Sequence, residues 1–204
     1  MENQINEQEL FAELDKNEIK EELIKDNRFS FDYEEKKYRV AMPTQQQIAD
    51  ARRHKNKTMV GLILSGIPKQ DKWLKILKEQ GIDIAQLDKE INDYENVLIP
   101  LHISKAKTKD SEVKTRAKFD KEIKEVEDKR CVLIMERADH LAPCADIQAR
   151  DEYMRFLTSQ CTEICIDEEK DEWKKVWNSF ADYQKEQNAI AYIAEGQLTS
   201  LMLV

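Results

Sequence analysis

The chain has 204 residues, 41% apolar and 36% charged, with four glycines and four prolines; that length can bury a core, and the composition excludes a turn-rich all-β architecture in favour of long helices. A formal charge of -8 and a pI near 5.1 argue against nucleic acid as the main partner, because phosphate affinity comes from Lys and Arg displacing counterions. No apolar run approaches the roughly 18–20 residues that span a bilayer, and MENQINEQELF has neither the basic start nor the apolar stretch of a secretory leader, so the expectation is a protein kept in the cytoplasm, off the membrane, with its four cysteines reduced.

Residues 1–28 read as an acidic arm. Met1 to Asp26 holds nine acids against Lys16, Lys20 and Lys25, with one helical stripe of Leu10, Leu14, Ile19 and Leu23, and such arms fray or order against a partner. The remainder, 29–204, is expected to form a single helical domain. It opens with a β-hairpin at 29–42: Phe29, Phe31 and Tyr33 alternate with polar residues, as do Tyr38, Val40 and Met42, and Glu34-Glu35-Lys36-Lys37 closes the turn with an aromatic face buried. Two strands alone are marginal in water, so the hairpin must lean on something else.

Pro43 ends the second strand, and Thr44 followed by Gln47 is a capping box that starts a helix. That helix is predicted to reach Ser65, with Ile48, Met59, Leu62 and Ile63 inward, and to stop at Gly66 before Pro68. A short helix around Trp73, Leu74 and Leu77 ends at Gly81. From Asp83, paired with Gln86 in capping-box spacing, Ile84, Leu87, Ile91, Tyr94, Leu98 and Leu101 recur at alternating steps of three and four. This is a narrow stripe suited to packing on another helix, predicted to break near Pro100. Asp110 or Ser111 opens the longest helix, carrying Val113, Ala117, Ile123 and Val126 and then Cys131 to Met135, with its last half buried.

Pro143 restarts the chain, and Ile147, Arg150, Met154, Leu157 and Cys161 mark another amphipathic helix. Thr162 to Val176 reads as strand, acidic turn and strand, or as a loop entering a helix at Trp173; the hairpin is the favoured reading. Ser179, with Asp182 three residues on, and Asn188 are N-caps for two final helices, the second through Ile190, Ile193, Leu198 and Leu201. The predicted fold is mainly α, a helical bundle-like body with a small N-terminal β-hairpin and a second short hairpin near the C-terminal end.

His140, Cys144, Cys161 and Cys165 form two pairs of ligand-type residues, each four apart, and helices could project such pairs toward a Zn ion. Pro143 interrupts the first pair and tight CxxC knuckles are missing, so buried core thiols are the preferred reading and no metal or other cofactor is expected. His54, His102 and His140 lack any nucleophile elbow, and no glycine-rich phosphate loop exists. His54 sits in the basic run ARRHKNK, read as a solvated helix face, and the expectation is a protein without catalysis.

Ser104 to Lys124 carries eight bases against four acids, so an acidic arm and a basic segment could meet, within one molecule or between neighbours. Both basic segments lack the aromatic interleaving that stacks bases, apart from Phe119, which favours docking on an acidic protein surface. Trp173, Trp177, Phe180 and Tyr183 gather aromatics in eleven residues; with Leu201 and Leu203 they either seal the domain end or anchor an interface.

The order of these features, YRVAMPT, a capped helix, Gly66-Ile67-Pro68 and a Trp-bearing short helix, a heptad-like helix, a charged helix with Arg116 and Arg130, and WNSFADY, resembles a family of helical proteins encoded among the structural and tail-assembly genes of tailed bacteriophages. The likeness covers residues 29–195. It implies a virion component or an assembly chaperone in the host cytoplasm, with other phage proteins or further copies of itself as partners, and it assigns no catalytic residue. A zinc-stabilised helical regulator or adaptor is the alternative from a different class.

Overall fold

The computed structural model describes residues 28–109, 112–186 and 188–203; the acidic arm, and Asp110 and Ser111 as helix openers, lie outside them. The elements are β1 (Arg28–Tyr33), β2 (Lys36–Ala41), α1 (Gln45–Leu64), α2 (Gln70–Glu79), α3 (Ile84–Lys107), α4 (Val113–Leu141), α5 (Ala145–Cys161), β3 (Thr162–Asp167), β4 (Glu172–Lys175), α6 (Phe180–Lys185) and α7 (Ala189–Leu203). The protein is mainly α, with both predicted hairpins present. Residue contacts group into two compact units, one from the described residues of Met1–Lys55 with Asp151–Val204, the other Asn56–Arg150. Within the second unit the apolar stripe of α3 packs along α4.

In the first unit the two hairpins join, because β2 also pairs with β3, and the result is one antiparallel sheet in the order β1-β2-β3-β4. Phe29 lies opposite Val40, and Phe31 opposite Tyr38 with their rings stacked at 5.4 Å. This alternation puts Phe29, Tyr38 and Val40 inside, as period-two patterning requires, whereas Met42 is exposed. Phe29 and Val40 join Ala51 of α1, Leu157 and Cys161 of α5, and Ala194, Leu198 and Leu201 of α7 in one core. The hairpin leans on these helices. Thr158, Ser159 and Thr162 are fully buried within it, and each hydroxyl donates to a backbone carbonyl, of Met154, Phe156 and Thr158 respectively.

The turn of the first hairpin is tighter than predicted, with Glu34 at φ 48° and Glu35 at φ 60°. Both signs are those of the primed turns that match strand twist, and glutamate pays a steric penalty there that Asn-Gly avoids. Replacing Glu34-Glu35 by Asn-Gly should raise stability by about 1 kcal/mol, read as a higher urea midpoint at unchanged slope.

The helix starts follow their sequence signals. Thr44 N–H donates to Gln47 Oε1 at 2.8 Å and Gln47 N–H to Thr44 Oγ1 at 3.2 Å, a complete capping box. Ser179 Oγ accepts from Asp182 N–H, and Asn188 Oδ1 from Ala191 N–H. Asp83 makes half of its box: its carboxylate accepts from Ala85 and Gln86, but the Gln86 side chain turns to Glu90 instead. Gly66 and Gly81 sit at φ 88° and 86° as left-handed caps, closing α1 at Leu64 and α2 at Glu79.

In the second unit Trp73, Leu74 and Leu77 of α2 pack with Ile84 and Leu87 of α3, Leu141 of α4, Cys144 and Ile147. The indole N–H of Trp73 donates to the His140 carbonyl at 2.7 Å. Two expectations fail here. First, α3 runs unbroken through Pro100 to Lys107, because the missing N–H falls at an exposed position while the same helix is held along its length by α4. Pro100→Ala should therefore add about 2 kcal/mol, the interior-proline penalty less the entropy that proline removes from the unfolded chain; thermal unfolding checks it.

Second, the last half of α4 is not buried. Cys131, Val132, Ile134 and Met135 are exposed, since a helix meeting one partner hides a single seam and the consecutive apolar run of Cys131 to Met135 points around the whole circumference. Ile63, expected inward on α1, is exposed for the same kind of reason, lying beside the far more exposed Leu64.

Candidate interaction surfaces

The α3–α4 pair is an antiparallel coiled coil. Along α3 the residues withdrawn from solvent include the series Ile84, Leu87, Ile91, Tyr94, Leu98, Leu101 and Lys105, with Asp88, Glu90 and Ser104 partly covered beside it; along α4 they include the series Arg116, Phe119, Ile123, Val126, Arg130, Leu133, Arg137 and His140. Both sets step by three and four, the spacing of a seam between two helices. Ion pairs cross it in falling order as α3 rises, Asp88 with Arg137, Glu95 with Arg130 at 3.3 Å and Lys105 with Asp120 at 2.5 Å, and between the last two His102 Nε2 lies 3.7 Å from Glu127 Oε1. The α3 half was legible; the α4 half was missed because Arg116, Arg130 and Arg137 occupy seam positions where apolar residues are expected.

Outside the seam the hairpin keeps a large apolar complement in water. Of the fourteen large hydrophobic side chains exposed among the described residues, ten belong to this unit: Val60, Ile63 and Leu64 on α1, Val97, Ile99 and Ile103 on α3, Val113, Val132, Ile134 and Met135 on α4. Single exposed aliphatics are ordinary, whereas a contiguous apolar patch marks an interaction surface. On α4, Val132, Met135, Glu136, Asp139 and His140 line an open depression of about 500 Å³. His140 Nε2 lies 3.7 Å from Glu136 Oε1. Two aliphatic side chains beside carboxylates and an imidazole suit an apolar anchor with a basic neighbour, and no hydroxyl or thiol nucleophile lines the depression.

The first unit holds a polar chain that the sequence reading missed. His54 of α1 stacks on Phe156 at 5.0 Å and meets the edge of Phe180 at 4.9 Å. Its Nε2 is buried without a hydrogen bond and lies 3.5 Å from Glu152 Oε2. Glu152 accepts from Arg155 at 3.2 Å, Arg155 reaches Glu195 at 3.8 Å, and Glu195 accepts from the Tyr183 hydroxyl. Burial, then the Glu195 carboxylate, pushes the Tyr183 phenol up, so it stays protonated. His54 is thus a wedge between two rings and not a solvated helix face; the readable signal was Glu152, Arg155 and Phe156, spaced three and four apart on one face of α5.

The aromatic candidates separate into two kinds. Trp177 and Tyr183 are each 1% exposed, meeting edge to face at 4.8 Å with Ala191 against them, and Leu201 lies in the sheet-facing core. All three side chains are buried within the first unit, Trp177 and Tyr183 against Ala191 of α7 and Leu201 against residues of β1, β2, α1 and α5. Phe180 is half-buried against Tyr183 at 5.9 Å. Trp173 stays on the outer sheet face with the Arg39 guanidinium 4.2 Å above its ring, while Arg39 also bonds Glu163 at 2.7 Å. Leu203 ends α7, and its side chain lies outside the described residues.

The four zinc candidates have separate surroundings. Cys144 belongs to the core of the second unit and Cys161 to that of the first; Cys165 pairs with Trp173 across β3 and β4, and His140 borders the depression on α4. Burial pushes the Cys161 thiol up to about 12 and Cys144 upward as well, which opposes the thiolate that a metal needs. Among the described residues no three His, Cys, Asp or Glu side chains are placed to hold a metal ion, and no helix is long and apolar enough to cross a membrane. Compared with protein-family models, curated proteins and solved structures, the chain matches none.

Proposed function

We propose that the protein works by binding other proteins, without catalysis, as a structural or tail-assembly component of a tailed bacteriophage, present in the host cytoplasm during assembly and in the virion when structural. The observation that carries the binding role is the exposed apolar complement of the α3–α4 unit, Val97, Ile99, Ile103, Val132 and Met135 among it. Apolar side chains left in water on a stiff frame are what an assembly partner covers. The tail setting is supported by the likeness of YRVAMPT and WNSFADY, with the elements between them, to that family.

Purified mature particles test the reading. A fixed copy number of this chain per particle supports a structural role. A chain bound to a tail protein in infected cells but missing from particles supports the assembly-chaperone role, which the same surface suits. A chain that joins no phage protein in either preparation sinks both.

A further inference from the structure

We propose that two copies of this chain join edge to edge through β1, related by a two-fold axis at Ser30, so that the four-stranded sheet of each continues into that of the other. Among the described residues β1 and β4 are the two edges of the sheet. They differ in kind. β4 is the short segment Glu172–Lys175, charged at Glu172, Lys174 and Lys175, and its pairing with β3 is irregular between Cys165 and Asp167; short, charged and irregular edges resist a further strand. β1 is longer, RFSFDY, in regular register with β2, and has no lysine, proline or bulge.

The hairpin register fixes which backbone groups of β1 are left over. Tyr33 and Lys36 flank the two-residue turn Glu34-Glu35, which makes them a hydrogen-bonded pair, and such pairs alternate along an antiparallel ladder. Tyr33, Phe31 and Phe29 therefore direct their N–H and C=O groups to β2, whereas those of Asp32, Ser30 and Arg28 point to the open edge. Such a row is a template for another strand. The side chains of Arg28, Ser30 and Asp32 alternate with that of the buried Phe29 and so lie on the opposite sheet face. Arg28 and Asp32 are exposed, and neither enters an ion pair with a described residue.

Set antiparallel about Ser30, this strand is its own complement. Ser30 meets Ser30, and Arg28 of each copy meets Asp32 of the other, so that every residue with outward backbone groups falls in a hydrogen-bonded pair and opposite charges stand directly across from one another. On the other face Phe29 of each copy meets the half-buried Phe31 of the other. Parallel pairing would set Arg28 against Arg28, and any slip of register breaks both charge pairs. The charge complementarity of β1 with itself is what commits the edge to a second copy, and a two-fold contact of this kind closes on itself as a dimer.

The test uses the purified full chain in sedimentation equilibrium, with amide hydrogen exchange followed residue by residue by NMR. Expected are a dimer, and Ser30 and Asp32 amides that exchange more slowly as protein concentration rises. Arg28→Asp and Asp32→Arg should each weaken the dimer on the order of tenfold, because each turns both charge pairs repulsive. An equal mixture of the two variants should recover it, since opposite charges face each other again only across the mixed pair. Ser30→Pro, which removes an outward N–H and no bond to β2, should leave a monomer with unchanged circular dichroism. A chain that stays monomeric at every soluble concentration, a dimer indifferent to both charge variants, a mixture no tighter than its parts, or a dimer whose Ser30 and Asp32 amides stay unprotected overturns the proposal. None of these outcomes bears on whether phage proteins are bound, so the function proposed above stands or falls separately.

Discussion

Replacing Trp177 with alanine should cost about 3–5 kcal/mol of unfolding free energy, the range for deleting a fully buried large aromatic. The ring is 1% exposed and sits edge to face on Tyr183, with Ala191, Val176 and Ile190 around it. Small residues such as Ala191 cannot grow into the space, so a cavity remains and its walls lose their contacts. Chemical denaturation followed by near-ultraviolet circular dichroism reads the effect, because the Trp177–Tyr183 pair is itself a source of that signal. An interface anchor would behave oppositely, leaving the isolated chain as stable as before. Loss of less than about 1 kcal/mol would mean that the cluster closes no core.

Leu98→Ala should cost about 2–4 kcal/mol, while Val97→Ser and Ile99→Ser should each fall within roughly 0.5 kcal/mol of the parent. The three residues are consecutive and all apolar, yet only Leu98 faces α4: it is 7% exposed, against 49% for Val97 and 53% for Ile99. Hydrophobicity therefore says nothing about which of them matters, and the heptad position says everything. Thermal unfolding of the three variants decides it. Equal effects at all three would remove the coiled-coil register, including the ion pairs from Asp88–Arg137 to Lys105–Asp120 that depend on it.

Local signals were the readable ones. Thr44 with Gln47, Ser179 with Asp182, Asn188, and the glycines at 66 and 81 each act within a few residues, and each acts as its chemistry dictates. The stripe from Ile84 to Leu101 was equally plain, since a three-four rhythm of Ile and Leu has few other uses. What could not be read was long-range choice. Whether β2 would take β3 as a neighbour depends on α1, α5 and α7 covering the same sheet face, and no single segment records that. The α4 seam was hidden because its arginines find acids on α3 that stand 35 and 49 positions away in the chain. The chain His54–Glu152–Arg155–Glu195–Tyr183 was invisible for the same reason: its members come from α1, α5, α6 and α7 and meet only once these elements have packed.

The placement of Arg130 and Arg137 within the α3–α4 seam decides how far those helices could slide. A slip of one heptad one way would set Asp88 against Arg130, leave Glu95 facing Ile123 and strand Arg137; a slip the other way would carry His102 onto Arg130 and leave Asp88 beyond the end of α4. Aliphatic layers alone would tolerate either displacement with little complaint, but stranded partly buried charges would not. The pair is consequently locked at one length, about 36 Å for the 24 residues of α3, and can serve as a spacer of constant span between whatever grips its two ends.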